Sequence, residues 1–221
     1  MASTIIHLAV AKELENRRKS VKNKYDYYLG AIAPDLAKQI GRPKEESHFI
    51  KNGYKEGVPN IKLFEYKYPK FQDNDYDLGY YTHLYTDKEW CENFMDNITT
   101  ENSIKLLDGS VIASTAEEIQ QLIYSDYTNL NTRIIEEYDI DLSIFYEEFR
   151  EPKTDITEIP ADKLDILINK MGIIIENSKE EKTYSLDVQS IKDFINTTVD
   201  KLEKELEIWS EPCFWHFKKR T

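Results

Sequence analysis

The sequence predicts an all-α protein, a single multi-helix domain spanning 1–221, and three observations carry that expectation. Apolar residues recur at helical spacing along most of the chain, strict strand alternation is almost absent, and capping signals stand before two of the periodic runs. The length, 221 residues, suits one domain at about 150 residues per domain. It is enough to bury roughly 70% of the unfolded surface without disulfides or structural metals. No internal repeat or low-complexity tract divides the chain.

The elements follow in order. Residues Ser3 to Arg18 form a helix capped by Ser3 or Thr4, with Ile6, Val10 and Leu14 on one face. A second helix runs from Lys24 towards Ala33 and is interrupted at Pro34, because proline disfavours αR in the residue before it. A short turn, Asp35 to Ile40, is ended by Gly41 and Pro43. From Arg42 to Asp75 the glycines and the prolines at 43, 59 and 69 predict loop with short helical pieces, and Ile61 to Tyr68 is strand-like enough for a hairpin. A strong helix follows from Asp75 to Asn97. Another spans Ser114 to Tyr138, where Ser114 with Glu117 or Thr115 with Glu118 makes a capping box. Shorter helical pieces cover Leu142 to Phe149 and Ala161 to Asn177, and Glu176 to Lys182 reads as a solvated loop. The last helix, Leu186 to Trp209, carries the stripe Ile191, Phe194, Ile195, Val199, Leu202 and Leu206 for packing on the body, and Pro212 stops it.

Charge narrows the function classes. With 41 acidic and 29 basic side chains the net charge is −12, which gives no general attraction to a polyanion and argues against binding to a nucleic-acid duplex or a polybasic membrane anchor. No run approaches the ~20 apolar residues that span a bilayer. The N-terminal stretch lacks a basic signal-peptide region, and its apolar run is broken by His7. Two cysteines, Cys91 and Cys213, fit a reducing compartment, so the expected location is the cytoplasm.

Chemistry concentrates early in the chain. Three of four histidines, His7, His48 and His83, fall in the first 83 residues. His83 and Asp87 lie one helical turn apart, on the stripe that Gly79, Trp90 and Phe94 continue into the core. A buried carboxylate is costly unless paired or bound to a cation, and no Arg or Lys shares that face. Imidazole and carboxylate one turn apart make a two-ligand clamp for a divalent ion. Gly79 lets another segment approach closely. His7 shares a face with Val10, Ala11 and Leu14, so its helix buries an imidazole. Asp35 follows the small apolar run Gly30-Ala-Ile-Ala-Pro, and His48 lies in a loop. His216, between Trp215 and Phe217, reads as a packing residue whose loss leaves metal content unchanged. No phosphate-binding glycine loop, Ser-His-Asp order or Cys-x-x-Cys pair occurs.

The ordered segments Ile6-His-Leu-Ala, Tyr28-Leu-Gly-Ala-Ile-Ala-Pro-Asp, Ser47-His-Phe and Gly79-Tyr-Tyr-Thr-His-Leu-Tyr-Thr-Asp resemble the zinc-dependent phospholipase C family, which is similar in fold to the single-strand nucleases. The resemblance covers residues 1 to 95. It implies the all-α phospholipase C / single-strand nuclease fold, with His7 and Asp87 holding one metal. It further implies that Asp35, His48 and His83 hold a second, with Asp87 bridging, and that Asp35 is the general base for the attacking water. Two departures stand out. Met1-Ala-Ser-Thr-Ile-Ile precedes His7, where the secreted enzymes use the amino group of a processed N-terminal Trp. Glu89, Glu92, Asn93 and Asp96 follow the His-x-x-x-Asp, where a third metal needs further histidines. That third site is therefore expected to be absent or rebuilt from carboxylates.

The expectation that results is a metal-dependent phosphoric ester hydrolase acting on a small soluble phosphodiester or monoester. Two Zn²⁺ ions are the expected cofactors, though mixed His/Asp ligation equally suits Fe²⁺, Mn²⁺ or Ni²⁺. Lys38, Arg42, Lys44 and Lys88 are the cations near enough in sequence to neutralise a phosphate, and Tyr28, Tyr80, Tyr81 and Tyr85 flank the motifs. A helical phosphohydrolase of the His-Asp-dyad type ranks lower because the contiguous pair is missing. The alternative from another class is a non-catalytic helical module in which metal ties the N-terminal helix to the His83 helix.

Overall fold

The computed structural model describes residues 1–51, 57–146, 148–176 and 182–210. Its helices are α1 (Thr4–Arg18), α2 (Lys24–Ile32), α3 (Leu36–Gln39), α4 (Lys44–Ser47), α5 (Ile61–Lys67), α6 (Asp75–Glu89), α7 (Ala116–Glu137), α8 (Asp165–Glu176) and α9 (Val188–Ser210). The protein is mostly helical, as its periodicity predicts. The departure from all-α is a small antiparallel sheet in the order β1 (Thr99–Thr100), β2 (Ser103–Lys105), β3 (Val111–Ala113). Strands of two and three residues are too short to show alternation. Their second turn is legible afterwards in Asp108-Gly109: Gly109 takes φ +85°, and the Ser110 amide donates to Asp108 Oδ1 at 2.9 Å.

Two helices are buried nearly all round. Residues 5 to 11 of α1 and 76 to 87 of α6 are withdrawn from solvent, so neither behaves as the one-faced surface helix that the Ile6, Val10 and Leu14 stripe suggests. The other helices pack around them, α2 against α1 and α6, and α7 and α9 against α1. The α9 stripe from Ile191 to Leu206 is buried as predicted, and Arg17 of α1 reaches across to Asp200 at 2.5 Å and Asn196 at 3.1 Å.

The α2–α6 crossing is the tightest feature of the fold. A Cβ on Gly79 would lie 2.1 Å from the Tyr27 carbonyl oxygen, and a Cβ on Gly30 would lie 2.1 Å from that of Tyr76. The two backbones touch through paired glycines, which bears out the close approach expected at Gly79 and adds Gly30 as its counterpart. At the end of α2 the chain does not break before Pro34. Ala33 stays in the αR region and the backbone tightens into a 3₁₀ turn, Ala33–Asp35, that leads into α3.

Local signals account for most boundaries. Ser3 caps α1 by accepting from the Ile6 amide at 3.3 Å. Of the two candidate capping boxes before α7, the one used is Thr115 with Glu118: the Thr115 amide donates to Glu118 Oε2 at 2.8 Å, and the Glu118 amide donates back to Thr115 Oγ1 at 3.3 Å. The hairpin considered for Ile61 to Tyr68 is instead α5, because Asn60 caps it and Ile61, Phe64 and Glu65 are buried at helical spacing. The long helix expected from Asp75 to Asn97 runs as α6 to Glu89, then as a π-helical turn over Trp90–Phe94 and a 3₁₀ turn over Met95–Asn97. The piece expected from Leu142 shortens to a 3₁₀ turn, Leu142–Phe145, and a 3₁₀ turn at Ala161–Lys163 precedes α8. The loop assigned to Glu176 to Lys182, the stop at Pro212, Cys213 and His216 lie wholly or mostly outside the described residues. Among the described residues no helix is long and apolar enough to cross a membrane.

Asp126 of α7 ties the start of α9 to the body. Its fully buried carboxylate accepts from the amides of Tyr184 and Ser185 at 2.7 Å and of Leu186 at 2.9 Å. Two substitutions follow as tests of this architecture. Gly79→Ala should push α2 and α6 apart and cost about 3 kcal/mol or more in a urea denaturation. Asp126→Ala leaves three amides without their acceptor and should cost about 3 kcal/mol by the same measurement.

Candidate metal centre

The site is assembled from four segments. α1 contributes His7, the 3₁₀ turn after α2 contributes Asp35, the residue after α4 contributes His48, and α6 contributes His83 and Asp87. His7, His48, His83 and Asp87 are buried, while Asp35 keeps about a quarter of its side chain open to solvent at 26%. All five residues that the sequence singles out therefore come together.

Asp87 is the centre of the group. Its Oδ1 lies 3.3 Å from His7 Nε2, and its Oδ2 lies 3.6 Å from His48 Nε2 and 3.5 Å from His83 Nε2. The two carboxylate oxygens thus face two different sets of imidazoles. Asp35 Oδ1 approaches His48 Nε2 at 3.8 Å, and Thr4 Oγ1 donates to Asp35 Oδ2 at 3.5 Å. The Ala2 amide donates to Asp87 Oδ1 at 2.8 Å, the one protein hydrogen bond seen at that carboxylate among the described residues.

Backbone carbonyls set the imidazole orientations. His83 Nδ1 donates to the Ala31 carbonyl at 2.8 Å, so its Nε2 is the nitrogen turned to the cluster. His48 Nδ1 lies 2.8 Å from Ser47 Oγ and 3.2 Å from the Lys44 carbonyl oxygen, which likewise leaves Nε2 facing inward. Tyr80, one helical turn before His83, donates its hydroxyl to the Ser47 carbonyl at 2.5 Å and so fixes the turn that carries His48. A partner on the far nitrogen is the usual support for a metal-binding histidine. His7 stacks on His83 with ring centroids 3.6 Å apart and planes at 10°.

Three atoms of this cluster are buried with no hydrogen-bond partner: Nδ1 and Nε2 of His7 and Oδ2 of Asp87. In addition, Nε2 of His83 and Nε2 of His48 stand 3.2 Å apart. One of these two nitrogens must carry a hydrogen for the contact to hold: His48 does so when the Ser47 hydroxyl donates to its Nδ1, and His83 does so when it is protonated. Burial works against charge on His83, yet Asp87 overcomes it and raises the imidazole above its ordinary value. Burial pushes His48 down to about 4 and lowers His7. For Asp87 burial favours the neutral acid, but His7 and His83 hold it well below the ordinary carboxylate range. A divalent ion bound here would take the place of that hydrogen among nitrogens already turned inward.

Two three-residue sets bring ligand atoms within 4.8 Å of one another: His7, His83 and Asp87, and Asp35, His48 and His83. His83 belongs to both by distance, but with Nδ1 held by Ala31 it has a single nitrogen to give. The cluster opens on one side to a cavity of about 490 Å³ walled by α3, α7 and α8. Tyr124 and Tyr127 of α7 line it, neither of which the sequence reading singled out. The usable signal was the α7 spacing Gln120, Tyr124, Tyr127, Asn131, a polar stripe at helical period. Of the tyrosines flanking the motifs, Tyr28 donates to Glu15 and Tyr81 to Glu65, so they serve the scaffold. Lys38 and Lys44 reach the cavity, whereas Lys88 is engaged by Glu89 and Glu92.

No protein-family model matches this chain, and comparison with curated proteins and with solved structures finds no match. The reading of the site thus rests on its own chemistry. Tyr80→Phe keeps the ring and removes only the bond to the Ser47 carbonyl. It should lower the affinity for added Zn²⁺ about tenfold in a competition titration, while the melting temperature of the metal-free protein moves little.

Proposed function

We propose that the chain is a metal-dependent phosphoric ester hydrolase that holds two divalent ions on His7, Asp35, His48, His83 and Asp87. The observation that carries this reading is the buried Asp87 carboxylate among three inward-facing imidazoles, with Oδ2 and both His7 nitrogens left without partners. Buried polar groups are almost always satisfied, and a partnerless set of ligating atoms points to an ion. The ligands divide naturally. Oδ1 of Asp87 stands with His7, and Oδ2 stands with His83 and His48, with Asp35 beyond. Asp87 bridges the two positions in this division.

Two bound divalent ions would polarise a phosphoester and lower the pKa of an adjacent water. The remaining steps belong to the chain. Asp35 and His48 are the proposed ligands that line the cavity, and of the two the partly exposed Asp35 carboxylate is placed to accept the proton of the attacking water. The Ala31 carbonyl keeps His83 in the tautomer that ligates, and Ser47 and Lys44 hold the orientation of His48. The cavity volume admits a small phosphodiester or monoester. A chain with net charge −12 gains no electrostatic attraction to anionic headgroups, so the proposed substrate is soluble.

The purified protein should carry about two transition-metal ions per chain, and Asp87→Asn should lose most of them by elemental analysis. Less than half an equivalent after reconstitution with Zn²⁺, Fe²⁺, Mn²⁺ or Ni²⁺ would remove the basis for the site. The metal-loaded protein should hydrolyse a soluble aryl phosphodiester in a reaction that a chelator stops. Full metal occupancy without turnover would favour the second reading, a metal-tied helical module. The approach of His7 on α1 to Asp87 on α6, 3.3 Å apart, supports that reading on structural grounds.

A further inference from the structure

The cavity beside the metal centre departs from the charge balance of the chain. Acidic side chains outnumber basic ones 41 to 29, yet the charged residues lining this cavity are three lysines, Lys38, Lys44 and Lys170, and the single carboxylate of Asp35 at the cluster. The lysines come from α3, α4 and α8, so three separate elements converge to present them.

Several other lysines take carboxylate partners. Lys24 meets Glu15, Lys62 meets Glu65, Lys67 meets Glu158, and Lys201 meets Glu89. The cavity lysines do not, among the described residues. Lys38 donates to the Tyr124 hydroxyl at 3.4 Å and lies 5.1 Å from the centre of that ring. Lys44 contacts the sulfur of Met1 at 3.5 Å, and Lys170 donates to the Gln39 side-chain oxygen. Leu167 and Met171 supply an apolar wall between them. All three are exposed to solvent and together give the cavity a local excess of positive charge, which draws anionic ligands to one place on an otherwise acidic protein.

We infer that the substrate carries a second anionic group, a phosphate or a carboxylate, beyond the phosphoester at the metals, and that Lys38, Lys44 and Lys170 bind it. This rests on the hydrolase reading for the identity of the first group. The scissile phosphate would already be neutralised by two divalent ions, so three further cations exceed what a simple monoester or diester needs. The aliphatic wall and Tyr124 then enclose a short spacer between the two anions.

Calorimetric titration of the metal-loaded protein with phenyl phosphate, 4-carboxyphenyl phosphate and 1,4-phenylene bisphosphate tests this without depending on turnover. At least one of the two probes with a second anionic group should bind about tenfold more tightly than phenyl phosphate at low ionic strength, and the gain should shrink at high salt. Which of the two gains identifies the second group as carboxylate or phosphate. In the Lys38→Gln/Lys44→Gln/Lys170→Gln variant, with metal content checked and retained, the gain should vanish. Equal affinities for all three probes, or a gain that survives in the variant, would overturn the inference. Hydrolysis of the aryl diester would be untouched by that result. Conversely, a lysine-dependent gain with no turnover would leave the anion site standing and count against the hydrolase alone.

Discussion

The fold is organised around a charge in its core. Asp87 sits on α6 at full burial, in a protein whose central helices offer no arginine or lysine to meet it. An ionised carboxylate in that position is tolerated only with close, well-directed partners, because leaving it unpaired costs several kcal/mol. Here the Ala2 amide donates to Oδ1, and imidazoles from three different segments surround the carboxylate at 3.3 to 3.6 Å, with Oδ2 left without a hydrogen bond. Helix α1, the turn after α4 and α6 itself must all be in register for that carboxylate to be tolerated. The same arrangement that surrounds the charge gathers the candidate ligands.

The α2–α6 crossing makes this register possible. Gly30 and Gly79 remove the side chains that would hold the backbones apart, and the Tyr27 and Tyr76 carbonyls occupy the space. At that separation the Ala31 carbonyl, one residue beyond Gly30, reaches His83 Nδ1, one turn beyond Gly79. A larger residue at either glycine would withdraw the carbonyl and free the imidazole to rotate. Close packing here does chemical work as well as structural work: it selects the tautomer of His83 and so decides which nitrogen faces the cluster.

Much of this was readable before any coordinates, and the reasons are specific. His83 and Asp87 declared themselves because a helical period placed an acid and an imidazole on an apolar face. His7 did so because it interrupts Ile6, Leu8 and Val10, and Gly79 because a glycine in a strong helix needs a packing reason. The grouping of all five residues came only from the family resemblance that the ordered motifs carry. What stayed hidden depends on long-range geometry. The β1–β3 strands carry too few residues for a period, and Ile61 to Tyr68 could be read either way until Asn60 was seen to cap it. The glycine partner at Gly30 and the carbonyl supports at Ala31 and Lys44 are backbone features with no side-chain signature. The convergence of Lys170 with Lys38 and Lys44 is equally invisible, since 126 or more positions separate it from the others.

A division of labour along the chain emerges from these positions. The first 87 residues supply every candidate ligand and every group that orients one. The segment from α7 to α8 supplies none, yet it builds the opposite wall of the cavity through Tyr124, Tyr127, Leu167, Lys170 and Met171. Asp126, whose carboxylate anchors the amides of 184 to 186, holds that wall to α9 rather than to the cluster. One edge of the wall meets the cluster, where Tyr127 donates to the Met1 carbonyl at 2.8 Å next to the Ala2 amide that binds Asp87, while Leu167, Lys170 and Met171 line the cavity from α8. Ligand geometry is constrained by the energetic demand of Asp87, whereas cavity shape and charge are constrained only by what must enter. A lysine on α8 costs the core nothing, and this is why the specificity of such a site is free to reside in residues remote from its chemistry.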